Sequence, residues 1–181
     1  MSTPSALTFA DPSAIVDQLT VDLGSSVADF GCGSGFFSFE FAKRVGSDGA
    51  VHAFDIMPSA LEAVASRAKI LNLSNVIVKR ANLERENGSG LDPQSMDWVV
   101  IKDILFQNKN KDVILREVSR VLKPGGHAIL MEWNPKESLV GPDVALRVSP
   151  IELRTLVEAA SLVVEKELSV GGFHYAFLVK K

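Results

Sequence analysis

Apolar residues recur along this chain in two rhythms. Short near-continuous runs at about 26–30, 50–54, 75–79, 97–101 and 127–132 read as strands, the kind expected where both faces of a sheet are covered. Between them apolar residues return every three or four positions, as on one face of a helix. Asp11-Pro12 caps and starts a short helix carrying Ile15, Val16 and Leu19. A second helix spans about 35–45 and stops at Gly46. A third begins near Pro58, where Ser59 and Glu62 form a start signal, and places Leu61, Val64, Ala65, Ala68 and Leu71 together. A fourth, at about 111–122, turns Ile114, Val118, Val121 and Leu122 inward. Lys123-Pro124-Gly125-Gly126 is expected to end that helix in a turn before the fifth strand. Residues 84–95 and 134–148 read as loops, and Ser149-Pro150-Ile151-Glu152 as a capping box opening a last helix with Leu153, Leu156, Val157 and Ala160 inward. Two closing strands, 162–168 and 173–179, flank Gly171-Gly172 closely enough for an antiparallel hairpin. The alternation from 26 to 133 predicts an α/β fold, a doubly wound parallel sheet with helices on both faces.

Composition sharpens this outline in a few places. With 181 residues the chain is expected to form a single domain, 1–181, with residues 1–10 flexible and Phe9 as an anchor. The formal charge of −3 gives no electrostatic case for nonspecific nucleic-acid binding and leaves only a local basic patch open. A single cysteine, Cys32, excludes an intrachain disulfide and a cysteine-based zinc cluster, and no metal site is expected. No apolar run is long enough for a membrane span and no signal peptide is evident, so a cytoplasmic protein is expected.

The candidate chemistry starts at Val27-Ala28-Asp29-Phe30-Gly31-Cys32-Gly33-Ser34-Gly35, a strand running into a glycine-rich turn and a helix. Such a turn lets a ligand approach the backbone, because glycine has no Cβ. The dinucleotide fingerprint is G-x-G-x-x-G. Here the third glycine comes one position early, at Gly35, and Phe36 fills the slot reserved for glycine. Asp29 just inside the turn would repel a pyrophosphate and favour a cationic ligand. S-adenosylmethionine (SAM), with a sulfonium, an ammonium and no phosphate, fits that description. Asp55 follows Gly35 by 20 residues, at the end of the second strand, where a carboxylate can accept from both hydroxyls of a ribose.

Taken together these segments resemble class I SAM-dependent methyltransferases. The resemblance covers about 11–181 and rests on five blocks in order: the glycine turn, Val51-His52-Ala53-Phe54-Asp55-Ile56-Met57-Pro58, Arg80-Ala81-Asn82-Leu83, Met96-Asp97-Trp98-Val99-Val100, and Leu115 to Gly126. The last block, with Met131-Glu132-Trp133 after it, is similar to the branch containing the ubiquinone/menaquinone biosynthesis methyltransferases. It implies a seven-stranded sheet of order 3-2-1-4-5-7-6 with strand 7 antiparallel. It implies SAM as cofactor, with Asp29 toward the ammonium group, Gly31, Cys32, Gly33 and Gly35 along the methionine moiety and Asp55 on the ribose. Ile56 and Met57 would border the adenine, and Asn82 with Leu83 would complete its pocket. Asn82 stands where the family often has Asp, and either side chain can meet the adenine amino group, since Asn also offers a carbonyl oxygen.

Lys102 and Asp103 follow the fourth strand, where the acceptor and the methionine end of SAM meet. Asp103 is a candidate base against a solvent-facing loop carboxylate. His174, in the turn before the last strand, is a candidate catalytic group against a surface histidine. Glu132 to Lys136 and the loop with Gly141-Pro142 and Arg147 are expected to open on the ligand face. His52 and His127 read as structural, and Cys32 as a small packed residue rather than a nucleophile. Three functions stay open at this point: a methyltransferase with a small-molecule acceptor, or with RNA or protein; a SAM-binding protein without transferase activity; and a nicotinamide-dependent oxidoreductase. The near absence of insertions implies an open cleft or completion by a partner subunit, a homodimer included.

Overall fold

The computed structural model describes residues 9–136 and 138–181; the expected flexibility of residues 1–8 lies outside them. Seven strands follow in chain order: Ser26–Phe30 (β1), Ala50–Asp55 (β2), Val76–Arg80 (β3), Met96–Lys102 (β4), Leu122–Trp133 (β5), Val163–Leu168 (β6) and His174–Lys180 (β7). The helices are Pro12–Val16 (α1), Phe36–Val45 (α2), Pro58–Ile70 (α3), Lys111–Val121 (α4) and Pro150–Ala159 (α5). The sheet order is β3-β2-β1-β4-β5-β7-β6, as the resemblance implied. β7 runs antiparallel to both neighbours, and the other pairings, β1–β2, β1–β4, β2–β3 and β4–β5, are parallel.

Burial explains why the central strands read as continuous apolar runs. One face of the sheet sets Phe30, Val99, Ile101 and Leu130 against Ile114 and Val118 of α4 and Leu153 of α5. The other sets Val27, Trp98, Val100 and Ile129 against Ile15 and Val16 of α1 and Phe37, Phe41 and Val45 of α2. With layers on both sides no central position can be polar without a partner. β1 has β2 on one side and β4 on the other, so the chain reverses its winding direction there. The carboxyl ends of β1, β2 and β4 therefore open a crevice at the switch point. Among the described residues no helix is long and apolar enough to cross a membrane.

Helix starts follow the sequence at two places and depart from it at a third. Asp11 Oδ1 accepts from Ser13 N–H at 3.0 Å, and Ser149 Oγ accepts from Glu152 N–H at 3.1 Å. At α3, however, Ser59 lies inside the helix, the cap position is Met57, and no side chain caps there. Asp55 Oδ1 instead accepts the Met57 N–H, at 2.9 Å.

The expected turn at Lys123–Gly126 is part of β5, whose register on β4 jumps from Met96↔Leu122 to Trp98↔His127. Two ties keep this segment laddered. The Lys123 ammonium sits 2.7 and 2.8 Å from the two oxygens of Asp97, and Gly125 N–H and Gly126 C=O both bond to Lys181 at 3.0 Å. A positive φ at Gly125, +81°, absorbs the kink that the sequence suggested as a chain reversal.

Candidate functional site

The glycine turn is built by β2. Phe54 C=O accepts from both Gly31 N–H and Cys32 N–H at 2.8 Å, which folds the chain back as it leaves β1. Gly31 sits at φ +74°, and a Cβ there would lie 2.7 Å from Ile104 Cδ1. A Cβ on Gly33 would meet nothing within 4 Å, so this backbone is bare toward the crevice. Gly35 differs from the sequence expectation. Its missing Cβ leaves room for Val64 Cγ2 at 2.8 Å and Phe39 Cζ at 2.9 Å, and it does not line the cavity. It is a packing glycine between α2 and α3.

A cavity of about 930 Å³ lies over this turn. Of the predicted cofactor residues, Asp29, Gly31, Cys32, Gly33, Asp55, Ile56, Met57, Asn82, Leu83 and Lys102 all line it. Asp55 is fixed by two backbone donors, Gly33 N–H at 3.0 Å on Oδ2 and Met57 N–H on Oδ1. Each oxygen keeps a lone pair for a further donor. Ile56 and Met57 lie beside it half exposed, 51% and 57%, an apolar ledge. Asn82 Oδ1 accepts from Glu84 N–H at 3.0 Å, which leaves its NH₂ as the free donor. Asp29 is buried below the turn and accepts from Ser38 Oγ at 2.5 Å. Burial pushes its carboxyl up to about 6, against the pull of that hydrogen bond. Cys32 packs with Phe39, Ala53 and Leu61, and burial pushes its thiol up, so it stays a protonated packing residue.

The opposite wall brings together two residues 71 positions apart. Asp103, just past β4, adopts φ +56°, unusual for a residue with a Cβ. Its carboxylate pairs with the Lys102 ammonium and lies 3.2 Å from His174 Nε2. Burial pushes the Asp103 carboxyl up, but the His174 hydrogen bond and the Lys102 charge outweigh it and hold it below the usual carboxylate range. The surface alternative for His174 is corrected: its side chain is 1% exposed, and its ring packs 4.3 Å from that of Trp133, its cross-strand neighbour on β5. Both Asp103 and His174 line the cavity, and Phe9 and Phe36 stand exposed at its mouth.

The other expectation for this side fails. Arg147 does not reach the cavity. Its guanidinium is buried and donates to the carbonyls of Asn134, Lys136, Val140 and Pro142 at 2.8–3.0 Å, tying the loop after β5 to itself. Five fixed donors suit a knot of loop carbonyls as well as they suit an anionic ligand. Trp133 is covered by Gly141, where a Cβ would lie 2.5 Å from the indole. His52 stacks on Phe54, and His127 stacks on Trp98 and reaches Glu165 at 3.2 Å, both away from the cavity.

The expectation that Glu132 to Lys136 open on the ligand face is also corrected: none of them lines the cavity. Glu132 is wholly buried, on the far face of the sheet from Trp133, and its Oε1 accepts from Leu105 N–H at 2.8 Å. Burial pushes this carboxyl up to about 8, with the Asp103 charge adding to the rise. The available signal was an acid directly continuing the apolar run Ala128-Ile129-Leu130-Met131 of the fifth strand.

Comparison with known proteins agrees with this geometry. The methyltransferase-domain family matches residues 22–161. The ubiquinone/menaquinone biosynthesis C-methyltransferase UbiE of Haemophilus ducreyi is 36% identical over 121 residues, 66% of this chain and 45% of that protein. The demethylmenaquinone methyltransferase of Staphylococcus haemolyticus is 30% identical over 119 residues, 65% of this chain and 47% of that protein. The match thus spans less than half the length of these relatives. Among solved structures, a SAM-dependent methyltransferase from Aquifex aeolicus superposes with a TM-score of 0.86 at 23% identity, over 95% of this chain and 90% of that one. The chain belongs to the methyltransferase-domain family and has the class I fold of SAM-dependent methyltransferases.

Proposed function

We propose that this chain transfers a methyl group from SAM to a small-molecule acceptor bound between the glycine turn and the Asp103–His174 wall. The observation that carries this reading is the shared cavity: the aligned Asp55 carboxylate and bare Gly33 backbone on one side, the Asp103 carboxylate with His174 on the other.

The residues fit SAM where they can be tested. Asp55 offers two oriented lone pairs for the vicinal hydroxyls of a ribose. Ile56 and Met57 give an apolar ledge for the adenine, and the free NH₂ of Asn82 suits an aromatic ring nitrogen. That pairing refines the sequence expectation, which gave Asn82 the adenine amino group. Asp29, buried and anionic, favours an ammonium, and the lysine of the cavity lining, Lys102, is paired with Asp103 instead of standing free for a phosphate. When bound, SAM supplies a methyl carbon already activated by sulfonium, so the hard chemistry belongs to the cofactor.

The chain's own task is orientation and proton handling. Asp103 is fixed by Lys102 and His174 at the cavity wall, ionised and able to accept a proton from an acceptor hydroxyl or carbon acid. His174, donating through Nε2, holds the carboxylate in place and stabilises its charge. Trp133 fixes the imidazole from behind. The cavity holds Asp11, Asp29, Asp55, Glu84 and Asp103 against Lys102, which disfavours strongly anionic acceptors such as RNA. The relatives' printed activities make a precursor of quinone biosynthesis the first acceptor class to try.

The test is methyl-labelled SAM with quinol, phenol, RNA and protein acceptors in parallel. Label on a small molecule supports the reading. Label on RNA or protein alone, or SAM binding with no turnover on any acceptor, contradicts it.

A further inference from the structure

We infer that Glu132 is a positioning residue that sets the Asp103–His174 pair by capping the turn after β4. It touches neither the cavity nor either member of the pair by hydrogen bond.

The inference starts from a conformational problem. Asp103 carries a Cβ yet sits at φ +56°, so its neighbours must hold it there. The next residues wind into a short 3₁₀ turn, Leu105–Gln107, whose first N–H groups have no partner within the turn. Three consecutive residues at the end of β5 answer both needs. Met131 C=O accepts the Asp103 N–H at 3.0 Å. Glu132 Oε1 accepts the Leu105 N–H at 2.8 Å, with the amides of Phe106 and Ile104 close enough to favour its charge. Trp133 packs its ring on His174. One short strand segment therefore grips the backbone on both sides of Asp103 and the imidazole it meets. Gln107 closes the turn from its other end, donating Nε2–H to Asp103 C=O at 3.0 Å.

A carboxyl is a costly way to fill this place. Glu132 is 0% exposed and its second oxygen, Oε2, has no hydrogen-bond partner. It stands among apolar positions of its own sheet face, between Leu130 and the helices packed there, where a leucine would pack without an unsatisfied atom. What a leucine lacks is an acceptor for the Leu105 N–H. The burial of a carboxyl here is explained by the turn, and the turn by the direction in which Asp103 must point.

The inference rests on the proposed methyl transfer only for the meaning of the pair; its test needs no SAM and no acceptor. In the ¹⁵N-labelled full chain, the Leu105 amide should be protected from hydrogen exchange about a hundredfold or more. An unprotected Leu105 amide overturns the inference, whatever the variants do. Glu132→Leu should strip that protection and displace the side-chain nitrogen resonances of His174, while the His52 and His127 signals stay and report an intact fold. Glu132→Gln, which keeps the acceptor oxygen, should restore both. His174 resonances that are unmoved in Glu132→Leu, or moved equally in Glu132→Gln, overturn it.

Discussion

The two walls of the cavity are made in different ways. The donor wall, from β1 through β3, is mostly backbone. Gly31 and Gly33 turn it, Phe54 C=O pins it, and Asp55 is aligned by two amides within the same βαβ unit. The wall beyond β4 is made of side chains from distant segments. Asp103 meets His174 across 71 residues, and both depend on the end of β5. A wall shaped by backbone loses its form when its turn is blocked, and the carboxylate it aligns can be removed without undoing the turn. A side-chain site keeps its fold and fails in function when one group is removed.

This contrast can be broken at several points. The largest effect is expected at the donor turn. Gly31→Val places a branched side chain at φ +74° and against Ile104, so the chain should lose on the order of 3 kcal/mol of stability, together with measurable SAM binding. Urea unfolding and calorimetry check both. Next, Asp103→Asn keeps the shape of the other wall and removes its charge. Turnover of labelled methyl should fall by about a hundredfold while SAM affinity changes by less than about threefold.

The pH dependence of SAM binding separates the walls again. Burial raises the Asp29 carboxyl to about 6, and a bound cation favours its ionised form. SAM affinity should be level above about pH 7 and fall as pH drops through 6, by up to about tenfold per unit. Asp29→Asn should flatten that profile. The smallest functional effect is expected at Arg147. Arg147→Ala unties the loop carbonyls and should cost about 2 kcal/mol in denaturant unfolding, with SAM affinity unchanged.

The donor wall was legible in the sequence because its residues are local. Glycine spacing, an early third glycine and an acid 20 residues on are all visible along one strand–helix–strand unit. Gly35 was misassigned for a physical reason: a glycine that admits Val64 and Phe39 looks the same in sequence as one that admits a ligand. The strand order was legible through the resemblance and the short final connection. The other wall was legible only as separate fragments. Asp103 and His174 were each named, but their meeting depends on β7 lying between β5 and β6, and the burial of His174 depends on Trp133. Arg147 was read as facing the ligand because the sequence does not show that its own loop supplies the carbonyls it needs. Glu132 was read as opening on the ligand face with the residues after it, since the sequence shows neither its burial nor the amide waiting there.

The most direct measurement is titration calorimetry of SAM into the unsubstituted chain, Asp55→Ala and His174→Ala. Asp55→Ala should weaken binding by about tenfold or more, because the oriented carboxylate is lost. His174→Ala should bind SAM as the unsubstituted chain does and lose only turnover. Unchanged affinity in Asp55→Ala, or an equal loss in both variants, would contradict the division of the cavity into a donor wall and an acceptor wall.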